Sequence, residues 1–188
     1  YLKEFIRRYP HISISISCQS TNETLELLEE DKIDIGLVGK PEKIKNIQFD
    51  YLKEIEDIFV ATKDYLRNLN ARGVNKDQIL QNATLMLLDK NNMTRQYIDS
   101  YLRQRQIKIQ DSIHISDMDL LIDFAKIGVG VACVIRSFVL GELEQGALVE
   151  IPLEVPIPKR EVGFVYKKRA KLPKPLVQFI EFYNLELW

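Results

Sequence analysis

The stretch TLELLEEDKIDIGLVGK, residues 24–40, determines the fold class that we predict for this chain. Its first half mixes leucines and glutamates at helical spacing and predicts a short amphipathic helix. Its second half alternates Ile33, Ile35 and Leu37 with other residues and predicts a strand. A helix followed at once by an apolar strand is typical of α/β sheets, in which ligands collect beyond the carboxyl ends of the strands. We therefore expect residues 38–40 to form part of a pocket wall.

The composition is that of an ordinary soluble globular protein. The chain has 188 residues, 46% of them apolar and 28% charged, which suffices for one domain or two small lobes. The formal net charge of -1 provides no general attraction to nucleic acid. No apolar run reaches the roughly 18 residues of a membrane helix, and the N-terminal residues lack the order of a signal peptide. Cys18 and Cys133 do not make the framework of a secreted disulfide protein, so we expect a cytoplasmic protein.

The start of the chain predicts a helix and a strand. Apolar residues recur at helical spacing over residues 1–9, and Pro10 ends this helix because proline lacks a backbone donor. Isoleucines then alternate with serines from Ile12 to Cys18, which predicts a strand with one buried face. This helix and this strand edge are also our candidates for contact between copies of the chain.

A polar turn joins that strand to the helix of the opening stretch. Ser20 with Glu23, or Thr21 with Thr24, has the spacing of an N-cap, in which a side-chain oxygen accepts from free amides of the helix. Free amides at a helix start also favour anions. Two interpretations therefore stay open: Ser20 and Thr21 only cap the helix, or they also contact a ligand.

The middle of the chain repeats the order of strand, polar turn and helix. The run TLMLL, residues 84–88, predicts a buried strand, and a helix follows the turn that contains Asn92, Met93 and Thr94. Since this turn corresponds to the one at Ser20, both helix starts are candidates for a common ligand site.

Residues 116–135 predict a second helix and strand, separated by glycines. Asp117 and Asp119 suit the positive end of the helix dipole, and Gly128 and Gly130 end the helix. Three further elements are predicted: a strand at 107–115, a helix at 137–143 and a strand at 147–151.

The remaining patterns argue against an enzyme. The glycines at 128 and 130 follow a helix and precede a strand, whereas a dinucleotide-binding fingerprint lies between a strand and a helix. His11 and His114 have no partner at metal-ligand or triad spacing, and HxxxH, CxxC and GxSxG are all absent from the sequence. We predict no catalytic residue, no metal and no cofactor.

Five segments together resemble the effector-binding domain of LysR-type transcriptional regulators. They are RRYPHISISI (7–16), ELLEEDKIDIGLVG (26–39), LLIDFAKIGVGVACV (120–134), GALVEIPL (146–153) and PKPLVQFIEF (173–182). The resemblance implies an α/β, two-lobed fold of the type 2 periplasmic-binding-protein kind, with a hinge of two crossover strands. Lobe I is expected at residues 1–59 and 163–188, and lobe II at residues 60–162.

The family pattern also includes parts that we expect to be missing from this chain. A first strand and its polar turn precede the helix that ends at Pro10, and a winged helix-turn-helix lies at the N-terminus of family members. The sequence begins after both, so lobe I is expected to lack its first strand.

The function implied by the resemblance is effector sensing. A small organic ligand, by preference anionic, would bind in the interlobe cleft and act on a DNA-binding N-terminal domain of a cytoplasmic homodimer or homotetramer, without a membrane. The cleft residues that the resemblance implies are Ser20, Thr21, Val38, Gly39, Asn92, Met93, Thr94, Asp117 and Met118. The alternative is a solute-binding protein of a transport system, which shares the fold and would need an export signal before Tyr1.

Overall fold

The computed structural model of the chain describes residues 2–41, 45–169 and 171–186. The helices are α1 (Leu2–Arg8), α2 (Thr21–Glu29), α3 (Lys63–Ala71), α4 (Ile79–Asn82), α5 (Met93–Gln104), α6 (Met118–Lys126), α7 (Leu140–Glu144) and α8 (Lys174–Glu186). The strands are β1 (Gly36–Gly39), β2 (Ile47–Ile55), β3 (Asp57–Ala61), β4 (Thr84–Leu88), β5 (Asp111–Ile115), β6 (Val131–Ile135), β7 (Val149–Glu150) and β8 (Arg160–Lys167). Short 3-10 turns occupy Lys76–Gln78 and Arg136–Phe138.

The chain divides into two compact units. Unit 1 comprises Tyr1–Tyr51 and Gly163–Trp188, and unit 2 comprises Leu52–Val162. Strands β2 and β8 run across the two boundaries. Unit 2 is therefore one continuous piece of chain, whereas unit 1 is assembled from two pieces.

Unit 1 is built on a three-stranded sheet in the order β1-β8-β2. Leu28 of α2 packs in a buried cluster with Val38, Ile47 and Val165, one from each strand. The helix lies so close to the sheet that a Cβ at Gly36 would come within 2.3 Å of Cγ2 of Thr24. A glycine at the start of β1 is thus required by the approach of α2.

Aromatic rings join α1 to α8 in the same unit. The ring centroid of Phe5, which is buried, lies 5.1 Å from that of Phe179 and 5.5 Å from that of Phe182, both pairs edge to face. Phe179 also meets Phe164 of β8 at 5.3 Å. The predicted N-terminal helix is confirmed over Leu2–Arg8, while Tyr1 lies outside the described residues.

The predicted strand from Ile12 to Cys18 is wrong for the chain as given. Residues 13–20 form neither helix nor strand, and Ile16 is 74% exposed. An alternating sequence favours an extended backbone, but a strand also needs a neighbouring strand as hydrogen-bond partner. No described strand pairs with this segment. Cys18 is consequently an exposed thiol rather than a buried one.

The predicted strand at the end of the opening stretch begins later than expected. β1 starts at Gly36, and Gly36 and Val38 are its buried residues, whereas Leu37 is 59% exposed. The alternation of Ile33, Ile35 and Leu37 therefore assigned the wrong face to Leu37, because Ile33 packs against the core from the loop before the strand.

Unit 2 is a five-stranded sheet in the order β5-β4-β6-β3-β7. β4 pairs in parallel with β5 and with β6, and β3 pairs antiparallel with β6 and β7. Buried residues alternate between two clusters: Phe59, Leu85 and Val131 belong to one, and Val60, Met86 and Ala132 to the other. The sheet is thus covered on both faces, as the continuous apolar runs of its strands indicate.

Three elements of unit 2 differ from their predicted extents. The helix predicted at 137–143 is a 3-10 turn followed by α7, the strand predicted at 147–151 is the two-residue β7, and the strand predicted at 107–115 begins at Asp111. The helix end at Gly128 is confirmed, and its φ of 78° explains the glycine.

Candidate functional site

The nine predicted ligand residues all lie at the ends of elements. In unit 1, Ser20 is the N-cap of α2, Thr21 is its first residue, and Val38 and Gly39 end β1. In unit 2, the predicted residues lie at two helix starts: Asn92, Met93 and Thr94 at α5, and Asp117 and Met118 at α6.

The two helix starts of unit 2 are neighbours by topology. Leu88 and Ile115, the last residues of β4 and β5, are register partners in a parallel pair. Each strand is followed by a short turn and then by its helix. The starts of α5 and α6 therefore follow the same edge of the sheet, where ligands of α/β sheets collect.

At α2, the predicted cap at Ser20 is confirmed, and ligand contact by Ser20 and Thr21 stays a prediction. The Ser20 Oγ accepts from the amide of Glu23 at 3.3 Å, and the Glu23 carboxylate accepts from the Ser20 amide at 2.9 Å and from its hydroxyl at 2.8 Å. The hydrogen bond from the Ser20 amide is the larger cause, and that from the Ser20 hydroxyl the smaller, of a lowered pKa of Glu23. A carboxylate thus occupies the N-terminal end of α2.

At α6, the cap is itself a carboxylate. The Asp117 Oδ1 accepts from the amides of Asp119 at 2.9 Å and Leu120 at 3.0 Å. Asp119 adds a second acidic side chain to the first turn. The α6 start carries negative charge and offers acceptors, which favours ligand groups that donate hydrogen bonds.

The start of α5 differs in charge from the other two. Its cap is the neutral Asn92, whose Oδ1 accepts from the amide of Thr94 at 2.8 Å, and its first turn contains no acidic residue. Arg95, which is buried, donates to Asp99 at 2.7 Å and to the carbonyl of Leu88 at 3.0 Å. This is the helix start of unit 2 that favours an anion.

A second arginine, Arg160, contacts the first turn of α5. Its Nε and Nη2 donate to the two carboxylate oxygens of Asp57 at 2.6 and 2.8 Å, and Nη2 also donates to Thr94 Oγ1 at 3.2 Å. The guanidinium lies over the ring of Tyr97, 5.2 Å from its centroid. The Tyr97 hydroxyl donates to the carbonyl of Pro158 at 2.8 Å.

Sequence reasoning missed Asp57, Tyr97 and Arg160. They are far apart in the chain and form no motif with a fixed spacing. The available signal was Asp57 itself, a carboxylate directly before the apolar run IFVA, which in a covered strand requires a counter-charge.

The thiol of Cys133 and the hydroxyl of Tyr97 both stay protonated in this cluster. Burial, followed by the charge of Asp57, raises the pKa of Cys133 well above the usual thiol value. Burial raises the pKa of Tyr97 as well, so that its hydroxyl remains a donor. Cys133 is therefore a small protonated core residue and not a nucleophile.

A pocket of about 590 Å³ opens elsewhere in unit 2. It lies at the other end of α5, between Lys76, Tyr101, Arg105 and Leu153, and none of the nine predicted residues lines it. Within the described ranges, no group of three or more His, Cys, Asp or Glu side chains is arranged to hold a metal ion. None of the described helices is long and apolar enough to cross a membrane.

Comparison with known proteins places the chain in a family. The sequence model described as LysR substrate binding domain matches residues 1–187. The chain belongs to the LysR substrate-binding domain family. Its fold is correspondingly the two-lobed, periplasmic-binding-protein-like α/β fold.

Relatives and solved structures of the family agree with this assignment. The uncharacterized transcriptional regulator YeiE of Escherichia coli K12 is 21% identical over 175 residues, which are 93% of this chain and 58% of YeiE. The CcmR regulatory domain of Synechocystis, solved in complex with 2-PG, superposes with a TM-score of 0.84 at 14% identity, over 98% of this chain and 88% of that domain. The QuiR effector-binding domain, solved with shikimate, gives 0.79 at 15% identity, over 97% and 86%. The chain thus spans less than two thirds of YeiE.

Proposed function

We propose that this chain is the effector-sensing part of a LysR-type transcriptional regulator and binds a small organic anion at the start of α5. Family membership supports the role, and the observation that supports the site is the N-terminal turn of α5, which has no acidic residue, beside the Arg160 guanidinium. Related domains solved with 2-PG and shikimate support a small organic ligand.

Thr94 is the residue that we assign to recognition of the anion. A threonine hydroxyl has one hydrogen to donate and two lone pairs that accept. Because Thr94 Oγ1 accepts from Arg160, its hydrogen is directed away from the guanidinium. A carboxylate oxygen of the ligand is the acceptor that we propose for this hydrogen, together with free amides of the α5 first turn.

The start of α6 narrows the ligand class. Its two carboxylates, Asp117 and Asp119, repel an anion and accept from hydroxyl or ammonium groups. A ligand that lies along the shared edge of β4 and β5 is then a hydroxy acid or an amino acid. Met93 and Met118, the first residues of α5 and α6, are proposed as its apolar contacts. Ser20, Thr21, Val38 and Gly39 stay predictions.

Ligand titration of the Thr94→Val variant tests this site. We would screen carboxylic, hydroxycarboxylic and amino acids, shikimate among them, by thermal shift and measure affinities by calorimetry. Saturation at 100 times the dissociation constant is expected to stabilise the fold by about 2.7 kcal/mol. Thr94→Val should weaken binding about tenfold, since a hydrogen bond to a charged group contributes roughly 1.5 kcal/mol.

A matched control is Thr84→Val, which removes a hydroxyl bonded at 2.7 Å to another carboxylate of unit 2, that of Asp111. This variant should bind like the unmodified chain. Failure of all three acid classes to shift the melting temperature would contradict the proposed function. Equal affinities of the two valine variants would contradict the site.

The proposal for the whole protein includes a DNA-binding domain and self-association. The chain's own net charge of -1 does not suit DNA, so we assign DNA binding to an N-terminal winged helix-turn-helix of a cytoplasmic homodimer or homotetramer. Sequencing the coding region upstream of Tyr1 tests this. A helix-turn-helix is the expected result, and an export signal would instead support the transport alternative.

A further inference from the structure

The Asp57 and Arg160 pair connects the beginnings of two strands. Asp57 opens β3 and Arg160 opens β8, and both side chains belong to unit 2. The Asp57 side chain is fully buried and that of Arg160 is 12% exposed, so the bidentate pair is held away from water. Either side chain without its partner would be an uncompensated buried charge. The two side chains therefore stay paired in the bidentate arrangement.

The same arginine holds the first turn of α5. One nitrogen, Nη2, donates both to Asp57 and to Thr94 Oγ1, and so the position of Thr94 is set by the ion pair. Tyr97, three residues after Thr94, adds a second connection through its ring over Arg160 and its hydroxyl on the carbonyl of Pro158. The α5 start is thus attached twice to residues 158–160.

β8 is the strand that leaves unit 2. It begins at Arg160, the unit boundary falls between Val162 and Gly163, and in the sheet it is the middle strand, between β1 and β2. A displacement of Arg160 therefore acts on the first residue of β8, a strand that is hydrogen-bonded to a neighbour on each side.

We propose that Arg160 is a positioning residue that transmits changes at the first turn of α5 to β8. This inference rests on the proposed function, in which Thr94 contacts the effector. Occupation of the α5 start alters the Thr94 hydroxyl, the shared Nη2 of Arg160 responds, and the root of β8 moves with it. The ion pair with Asp57 restricts the Arg160 side chain to one position, so a change at Thr94 is passed to the backbone of residue 160.

Hydrogen exchange of the intact, ligand-free chain tests the connection. Thr94→Val removes the acceptor for Arg160, and we expect exchange about tenfold faster both in the first turn of α5 and in the amides of β8. Thr94→Ser keeps the hydroxyl and should restore the exchange rates in β8. Thr84→Val, the control that loses a hydroxyl bonded to Asp111, should leave β8 unchanged.

A second variant separates connection from folding. Arg160→Lys keeps the charge beside Asp57 but lacks the fork that reaches two acceptors, so it should reproduce the exchange pattern of Thr94→Val. Faster exchange in α5 alone, with β8 as in the unmodified chain for both variants, would overturn the proposal. These measurements need no effector, so a failed ligand screen would contradict the proposed function without affecting this result.

Discussion

Asp57 is a buried carboxylate whose ion-pair partner among the described residues is Arg160. Its side chain is fully buried at the beginning of a strand that is buried along its whole length. Asn would keep the shape and leave the guanidinium of Arg160 without a counter-charge. Changing one partner alone would therefore leave an uncompensated charge in the interior of unit 2.

We predict that Asp57→Asn lowers the free energy of unfolding by about 3 kcal/mol, the cost of breaking a buried pair. The measurement is urea denaturation followed by circular dichroism. Asp123→Asn is the control, since Asp123 pairs with Lys126 at 3.2 Å with a side chain that is 68% exposed, and its loss should cost below about 1 kcal/mol. Similar midpoints for the two variants would be the contrary result.

Tyr166 provides a prediction about pH. Its hydroxyl donates to Asp50 Oδ2 at 2.8 Å, and burial, then the bond to Asp50 and its charge, raise the pKa of Tyr166 to about 12. Since the folded pKa exceeds the ordinary value of about 10, this group's contribution to stability is present below pH 10 and is lost as the pH rises through 12.

Absorbance at 295 nm after rapid alkaline mixing, before the fold opens, measures this group. The difference between the unmodified chain and Tyr166→Phe should titrate near pH 12. Asp50→Asn should lower that midpoint only in part, because burial is the larger cause. A difference curve centred at pH 10 would refute the assignment.

Among the elements, those with a continuous apolar run or a local capping motif were predictable. Those that depend on a distant neighbour were not. β4 and β6 are continuous apolar runs, and α2 carries its capping box in the sequence. The Ile12 to Cys18 segment has an equally clear period and still forms no strand, because pairing requires a partner that period does not supply.

The site followed the same division. The helix starts at Ser20, Asn92 and Asp117 were predictable because capping residues lie next to the amides that they bind. Arg160 was not predictable, since its partners lie 66 and 103 residues away and only the fold brings them together.

Gly130 supplies a prediction for the junction of two strands. A Cβ there would lie 2.4 Å from the backbone oxygen of Thr84. This oxygen belongs to β4 and cannot shift without a change in the strand. Gly130→Ala should therefore cost about 1 to 3 kcal/mol in urea denaturation. Gly141 in α7 has nothing within 4 Å of its Cβ position, so Gly141→Ala should be neutral or stabilising by about 0.5 to 1 kcal/mol. Equal effects would show that the close approach at Gly130 is not restrictive.

For the molecule as a whole, exposed apolar residues on α1 are the basis of a prediction about self-association. Leu2 and Ile6, one helical turn apart on α1, are 36% and 47% exposed. Apolar groups left in water at neighbouring positions are typical of association surfaces. We propose Leu2 and Ile6 as part of the contact of the expected homodimer.

We predict that the unmodified chain is a dimer and that Ile6→Glu is a monomer, because the new carboxylate would be buried in the proposed contact without a partner. Size-exclusion chromatography with light scattering measures the mass. Leu37→Glu is the control, since Leu37 is 59% exposed on β1 and lies outside α1. A dimer that survives Ile6→Glu, or an unmodified chain that is monomeric at high concentration, would contradict the contact.

The strand order of the three-stranded sheet has a consequence for synthesis. β8 lies between β1 and β2, yet it is the last of the described strands in chain order. While the ribosome is still adding residues up to about 160, β1 and β2 have emerged without the strand that joins them, whereas β3 to β7 are already complete. Once Arg160 has been added and can pair with Asp57, unit 2 can fold on the nascent chain, whereas the sheet of unit 1 has to wait for the rest of its middle strand.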